Sequence, residues 1–197
     1  DSSTSRGLGD VYKRQNFAGI AGMKILEFFE NYYQIPYPGS KLDLIAIPDF
    51  AMGAMENVGA VTFREGLLLI DESKATRQEL SRSVSVIAHE LAHMWFGDLV
   101  TMKWWDGIWL NEAFASLMEA IAANGTYPEF KQWSEMNLSR SAGFSVDSLK
   151  NSRPVEFEVE TPEQAEEMFD VLTYEKGSTV LRTVSYTHLT LPTIYSV

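Results

Sequence analysis

The stretch VIAHELAHMWFGDLV places two histidines, His89 and His93, four positions apart within a run of helical hydrophobic periodicity. Residues i and i+4 of a helix lie about 40° apart around its axis, so both imidazoles project from one face toward a common point. Such a pair can chelate a metal ion, and the adjacent Glu90 could take a proton from a water molecule there. The alternative is a helix that happens to carry two histidines, since short motifs recur by chance.

The candidate third ligand is Glu112, which follows His93 after eighteen residues in the helical pattern WLNEAFASLMEA. The connecting loop GDLVTMKWWDGI can return the second predicted helix beside the first as an antiparallel neighbour. Because two histidines and a glutamate form a known catalytic zinc set, we predict one Zn²⁺ ion on His89, His93 and Glu112. Glu119 lies two helical turns further along the same face, where it could orient a ligand histidine or simply face solvent.

The composition excludes several other kinds of site and partner. The 197 residues include no cysteine, which excludes disulfides, a cysteine zinc cluster and a cysteine nucleophile, and which is compatible with the cytoplasmic location we expect. There is also no G-x-S-x-G motif for a serine nucleophile. The formal net charge of -11 opposes binding to nucleic acid, and no uncharged apolar run reaches membrane-spanning length. We therefore expect neither nucleic acid nor a membrane as a partner.

The two ends of the chain differ from the middle. One DNA sequence that encodes residues 9–15 has a reverse complement that encodes residues 183–189 in one frame. Such an inverted repeat resembles the transposase mosaic end used in sequencing libraries. We therefore predict that residues 1–15 and 183–197 are translated adapter and that residues 16–182 are the native segment.

Hydrophobic periodicity in residues 16–182 predicts an α+β fold, with a small sheet followed mostly by helices. The strands are predicted at residues 41–50, 59–63 and 67–70. The predicted helices cover residues 17–35, 76–96, 109–123, 127–139 and 162–184, and a break is expected in the last near residues 173–174.

Three stretches together resemble one enzyme family. They are GAMENVGAVTFRE (residues 53–65), HELAHMWFGDLVTMKWWDGIWLNEAFA (89–115) and TYEKGSTVLR (173–182). They resemble the zinc aminopeptidases of the gluzincin group, typified by alanyl aminopeptidase. The resemblance implies an incomplete thermolysin-like catalytic domain, with a β-rich domain before it and helical domains after it in the parent enzyme. This segment alone would lack parts that close the substrate chamber, so it could be inactive while its parent is active.

Three residues within these motifs also indicate which members of the group the chain resembles more. Met94, Asp98 and Ala113 look more like bacterial members of the group than animal ones.

The resemblance also implies residue roles in hydrolysing the first bond of peptides that have a free α-amino group. Glu90 would be the general base, and the Tyr174 hydroxyl would stabilise the oxyanion. Glu56 would bind the substrate ammonium. Met52 and Met55 could line the pocket for the first side chain, although methionines at such positions are more often part of the packing. The implied substrate-binding residues form the GAMEN motif, namely Gly53, Ala54, Met55, Glu56 and Asn57.

Three alternatives stay open. A leukotriene-hydrolase-type bifunctional enzyme uses the same scaffold, although its relatives carry glycine where this chain has Ala54. A thermolysin-like endopeptidase would accept an N-acetylated substrate, which an aminopeptidase would not. A catalytically inactive homologue would serve only as a binding module.

Overall fold

The computed structural model of the chain describes the backbone of residues 8–194 and the side chains of residues 12–186. Helix α1 (Leu8–Tyr33) leads into a mixed sheet made of β1 (Asp43–Ile47), β2 (Ala54–Met55) and β3 (Ala60–Arg64). The central strand β3 runs parallel to β1 and antiparallel to β2. Strand β2 is therefore an edge of the three-stranded sheet.

The described chain after the sheet is mostly helical, and this order confirms the predicted α+β class. Its elements are α2 (Glu65–Leu68), α3 (Arg77–His93), α4 (Ile108–Thr126), α5 (Gln132–Asp147), α6 (Pro162–Glu167), a π-helix (Leu172–Lys176) and α7 (Gly177–Ile194). Two single 3₁₀ turns, Trp105–Gly107 and Pro128–Phe130, precede α4 and α5.

The main core lies where α1, the sheet, α3 and α4 meet. Ile25 and Phe29 of α1, Phe63 of β3, and Ile87 and Leu91 of α3 are all completely buried. Each such side chain contributes about 1.5–3 kcal/mol of transfer free energy when it leaves water. This packing fixes the orientation of α3, so one face of that helix meets the core while the neighbouring face carries the histidines.

The structure corrects two details of the predicted sheet. Residues 67–70 were predicted as a strand, but α2 ends within them and no strand includes them. A four-residue apolar run cannot distinguish the two structures, since Leu68 and Ile70 are buried in either case. The other correction is β2, which periodicity missed because a two-residue strand is too short to show alternation. The strands predicted around β1 and β3 are confirmed.

The predicted helices that become α1, α3 and α4 are also confirmed. The helix predicted at residues 127–139 begins with a 3₁₀ turn and continues to Asp147. The helix predicted at 162–184 is interrupted after Glu167, and the π-helix occupies the place where a break was expected.

Two further observations concern the helices at the ends. The predicted adapter segments, residues 1–15 and 183–197, lie partly outside the described residues, and their origin stays a prediction. Within the described residues, none of the helices combines the length and the apolar character that a membrane crossing requires.

Candidate metal centre

The register of α3 sets the positions of His89 and His93. Thr76 begins the helix with a capping box, in which its hydroxyl accepts from Glu79 N (3.2 Å) and its own N–H donates to Glu79 Oε2 (2.8 Å). Three turns later the two imidazole rings lie side by side, with their centroids 4.8 Å apart. The helical spacing therefore brings both rings to one place, as the sequence predicts.

Glu112 reaches the same place from α4, which packs against α3. Its Oε2 atom lies 3.1 Å from His89 Nε2 and 3.6 Å from His93 Nε2. The ligand atoms that the three residues offer all lie within 4.8 Å of one another. The structure thus brings the three predicted zinc ligands together.

The opposite ring nitrogens of the two histidines have separate partners. His93 Nδ1 lies 3.0 Å from the carbonyl oxygen of Phe96, and His89 Nδ1 lies 3.3 Å from Glu119 Oε2. With a metal ion bound, Nδ1 would carry the proton and donate it to these acceptors, which would leave the Nε2 lone pairs for the ion beside Glu112. The contact with Glu119 matches the orienting position considered for that residue, although the role itself stays a prediction.

This donor set suits Zn²⁺, which prefers imidazole nitrogens and carboxylate oxygens in the absence of thiolates. Burial alone would raise the pKa of Glu112, but hydrogen bonds to His89 and His93 hold it well below its usual range. An ionised carboxylate between two inward-facing imidazoles provides one negative charge for a cation. The residues present therefore fit a zinc ion.

Glu90 lies next to this set in an unusual environment for a carboxyl group. Its side chain is only 6% exposed, and its Oε2 atom has no hydrogen-bond partner within the described residues. Burial is the main reason why the pKa of Glu90 rises to about 7, and the nearby Glu56 and Glu112 add to the rise. A carboxyl group with this pKa can accept and return a proton near neutral pH.

Glu56 also reaches the metal centre, although it follows the edge strand β2 rather than a helix. Its Oε1 atom lies 4.0 Å from His93 Nδ1. The Asn111 side chain donates from Nδ2 to both Glu56 Oε1 (3.2 Å) and Glu112 Oε1 (3.0 Å). Asn111 therefore links the predicted amine-binding carboxylate to a predicted zinc ligand.

Asn111 had no predicted role, although its place directly before Glu112 in the sequence could have indicated one. Gly97 shows how closely the chain packs around this amide. Its φ of +139° suits glycine, and a Cβ there would collide with Asn111 Oδ1.

Asp98 is a second residue near the metal centre that had no predicted role. It is half-buried, and its Oδ2 atom has no hydrogen-bond partner within the described residues. Burial, followed by repulsion from Glu56, raises the pKa of Asp98 to about 6. The chain therefore places a second acidic side chain close to Glu56.

The other residues of the GAMEN motif surround the sheet edge. Ala54 and Met55 form β2, and Gly53 accepts a hydrogen bond at its carbonyl from Arg64 N (2.9 Å). Asn57 lies in the following turn, where its Nδ2 contacts Thr62 Oγ1 at 3.4 Å. These contacts place the motif along an exposed backbone edge, while only Glu56 of the five reaches the metal ligands.

Tyr174 faces the same centre from the π-helix. Its ring centroid lies 5.9 Å from that of His89. Burial, together with the negative charge of Glu112, raises the pKa of the Tyr174 hydroxyl. The hydroxyl therefore keeps its proton and can donate a hydrogen bond.

A cavity of about 1200 Å³ opens beside these residues. Its lining runs from Met52 and Ala54 at the sheet edge, past His89 and Glu90, to Tyr174. An extended peptide could therefore reach the centre along the exposed edge.

Zinc binding to this centre is expected to weaken as the pH falls, because protons and Zn²⁺ compete for the same nitrogens. Burial lowers the pKa values of His89 and His93, but the hydrogen bonds to Glu112 outweigh burial and raise both above 6.5. Below the raised pKa values, each displaced proton lowers the apparent affinity by about tenfold per pH unit.

Isothermal titration calorimetry between about pH 6 and pH 8, in buffers of different ionisation enthalpy, measures both the affinity and the protons released. A pH-independent affinity without proton release would contradict this prediction.

Similarity to known proteins independently supports the family resemblance. The chain matches the Peptidase family M1 domain over residues 17–190. Aminopeptidase M1 of Arabidopsis thaliana is 46% identical over 166 residues, which are 84% of this chain and 19% of that protein. Endoplasmic reticulum aminopeptidase 2 of Homo sapiens is 51% identical over 175 residues, which are 87% of this chain and 18% of that protein.

A third relative, Puromycin-sensitive aminopeptidase of Caenorhabditis elegans, is 47% identical over 165 residues, or 83% of this chain and 17% of that protein. The chain therefore spans about a fifth of the length of these curated relatives. Proteins of the archaeon Sulfurisphaera tokodaii match as well. Relatives from eukaryotes and archaea do not support the bacterial resemblance expected from Met94, Asp98 and Ala113.

Proposed function

Because this chain belongs to peptidase family M1, we propose that the complete gene product carrying it is a zinc aminopeptidase. It would hydrolyse the first bond of peptides that have a free α-amino group. The observation that carries the proposal is the convergence of His89, His93 and Glu112 beside two further carboxylates, Glu90 and Glu56. The thermolysin-like arrangement of α3, α4 and the small sheet belongs to the same proposal.

His89, His93 and Glu112 would hold the zinc ion. When bound, Zn²⁺ polarises the scissile carbonyl and makes water a stronger acid. The chain contributes a buried carboxylate to this set and fixes both imidazoles through Phe96 and Glu119.

Glu90 would act as the general base and later as the general acid. It takes a proton from the attacking water and returns it to the leaving amine, so one carboxyl group serves both steps. Its unpartnered Oε2 atom and its pKa of about 7 suit this exchange.

Tyr174 would stabilise the oxyanion that forms at the carbonyl oxygen when water attacks the carbonyl carbon. Its hydroxyl stays protonated beside the ligands and donates a hydrogen bond to the negative oxygen. This interaction strengthens only as charge develops, so it favours the transition state over the bound substrate.

Glu56 would pair with the substrate ammonium and thereby set the register of cleavage. A carboxylate beside the metal ligands would fix the position of the amine, so that the first peptide bond meets the metal. The open edge of β2, formed by Ala54 and Met55, would pair with the backbone of an extended peptide.

A peptide with a free amine is expected to be cleaved, whereas the same peptide with an N-acetyl cap is not. Acetylation removes the positive charge that Glu56 pairs with and adds bulk where the amine would lie. Glu56→Ala should therefore lower kcat/KM for the free peptide about 10- to 150-fold, the usual strength of a hydrogen bond to a charged group. Mass spectrometry of the products measures both the rate and the cleavage position.

The exposed Glu72 provides a control, and Glu72→Ala should leave kcat/KM unchanged. Equal cleavage of free and acetylated peptides would instead favour an endopeptidase.

A further inference from the structure

Tyr174 lies on an irregular segment of backbone. The π-helix Leu172–Lys176 is a single wide turn directly before α7. Such turns are rare and are frequently found at functional sites.

The beginning of the turn is held by Asp170. Its Oδ1 atom accepts hydrogen bonds from Leu172 N (2.9 Å) and Thr173 N (3.0 Å), and its carbonyl oxygen accepts one from Tyr174 N (3.1 Å). Asp170 therefore satisfies the first N–H groups of the segment that carries the tyrosine.

Arg153, from the loop after α5, joins this arrangement. Its Nη2 atom donates to Asp170 Oδ1 (2.6 Å) and to Thr173 Oγ1 (2.9 Å). The side chain of Arg153 is 18% exposed, and that of Asp170 is 36% exposed. One guanidinium thus holds the capping carboxylate and the residue next to Tyr174 at the same time.

The end of the turn is held from the same loop region. Lys176 Nζ donates to Asp147 Oδ1 (2.6 Å), and Ser152 Oγ donates to the same oxygen (2.6 Å). Helix α5 also packs closely here, because a Cβ on Gly143 would lie 3.2 Å from Glu175 Cβ. Both ends of the wide turn are therefore attached to residues 143–153.

We propose that Arg153 is a positioning residue for Tyr174, and that it holds the wide turn so that the tyrosine hydroxyl faces the metal centre. This inference rests on the proposed aminopeptidase function. A partly exposed ion pair contributes little to global stability. Its effect is therefore expected in the chemical step, since a displacement of about 1 Å in a catalytic group can cost about 100-fold in rate.

In the complete gene product, Arg153→Ala is expected to lower kcat about 10- to 100-fold, with little change in KM or zinc content. The kcat of Arg153→Lys should fall between those of the wild type and Arg153→Ala. Its ammonium keeps a positive charge near Asp170, but the side chain ends one atom short of Nη2, which makes both contacts. Lys150→Ala, on the same loop and exposed, is the matched control and should retain full activity.

A double-mutant cycle tests whether Arg153 acts through the tyrosine. In a Tyr174→Phe background, Arg153→Ala should lower kcat no further. An equal loss in both backgrounds would overturn the proposal, because it would show an effect independent of the hydroxyl.

Hydrogen–deuterium exchange provides a readout that does not need activity. Peptides that cover residues 170–178 should exchange faster in Arg153→Ala than in the wild type, and Lys150→Ala should not change them. Unchanged exchange in Arg153→Ala would overturn the proposal. If the wild-type product lacks aminopeptidase activity, the proposed function fails, and the exchange rates still decide whether Arg153 holds the turn.

Discussion

Replacing Glu90 with glutamine is expected to reduce peptide hydrolysis by about 10²- to 10⁴-fold while zinc stays bound. Glutamine keeps the size of the side chain but can neither accept a proton from water nor return one to the leaving amine. The metal ligands His89, His93 and Glu112 make their contacts with one another and do not depend on Glu90. Steady-state kinetics and metal analysis of the same purified sample measure both results.

The exposed Glu72 again provides the control, and Glu72→Gln should behave as the wild type. Hydrolysis at the wild-type rate by Glu90→Gln would refute the proposed role of Glu90. If the wild type itself binds peptides without hydrolysing them, the inactive binding module becomes the better interpretation.

Replacing Glu112 with alanine is expected to weaken zinc binding by more than about 100-fold. Substituting a residue that only orients a metal ligand costs about 10- to 100-fold, and losing a direct ligand should cost more. Among the described residues, Glu112 is the one whose carboxylate contacts both histidine Nε2 atoms. Without it, two buried imidazoles lose the negative charge that favours a cation between them. Competition with a chromogenic chelator measures the affinity, and activity should fall in parallel.

Glu119→Gln is the graded comparison for this prediction. Glu119 contacts only the outer nitrogen of His89, so its substitution should cost about 10- to 100-fold in zinc affinity. The expected order of affinity is wild type, then Glu119→Gln, then Glu112→Ala. Unchanged zinc affinity in Glu112→Ala would contradict the assigned ligand set.

The grouping of His89, His93 and Glu112 could be predicted because it depends mainly on helical spacing and on the packing of two consecutive helices. His89 and His93 are four residues apart on a strongly periodic helix, and that spacing alone sets their common direction. Glu112 lies on the next long helix along the chain, and the connection of residues 94–107 returns that helix beside the first. For the same reason the long helices were predicted correctly, whereas the short apolar run at residues 67–70 was not.

The roles suggested for Glu56 and Tyr174 came from the family motifs and not from periodicity. A glutamate in a turn is usually solvated, and a tyrosine in an amphipathic helix is usually part of the core. No local pattern distinguishes these cases, because the distinction depends on what packs against each side chain.

The amino-acid order therefore establishes the α+β class and the helices that carry His89, His93 and Glu112, and it predicts zinc chemistry for that set. Folding adds the contacts between distant positions. Asn111 meets Glu56 across 55 residues of sequence, and Arg153 meets Thr173 across 20. Such pairs leave no periodic signal, since their distances depend on how α4, α5 and the sheet edge pack together.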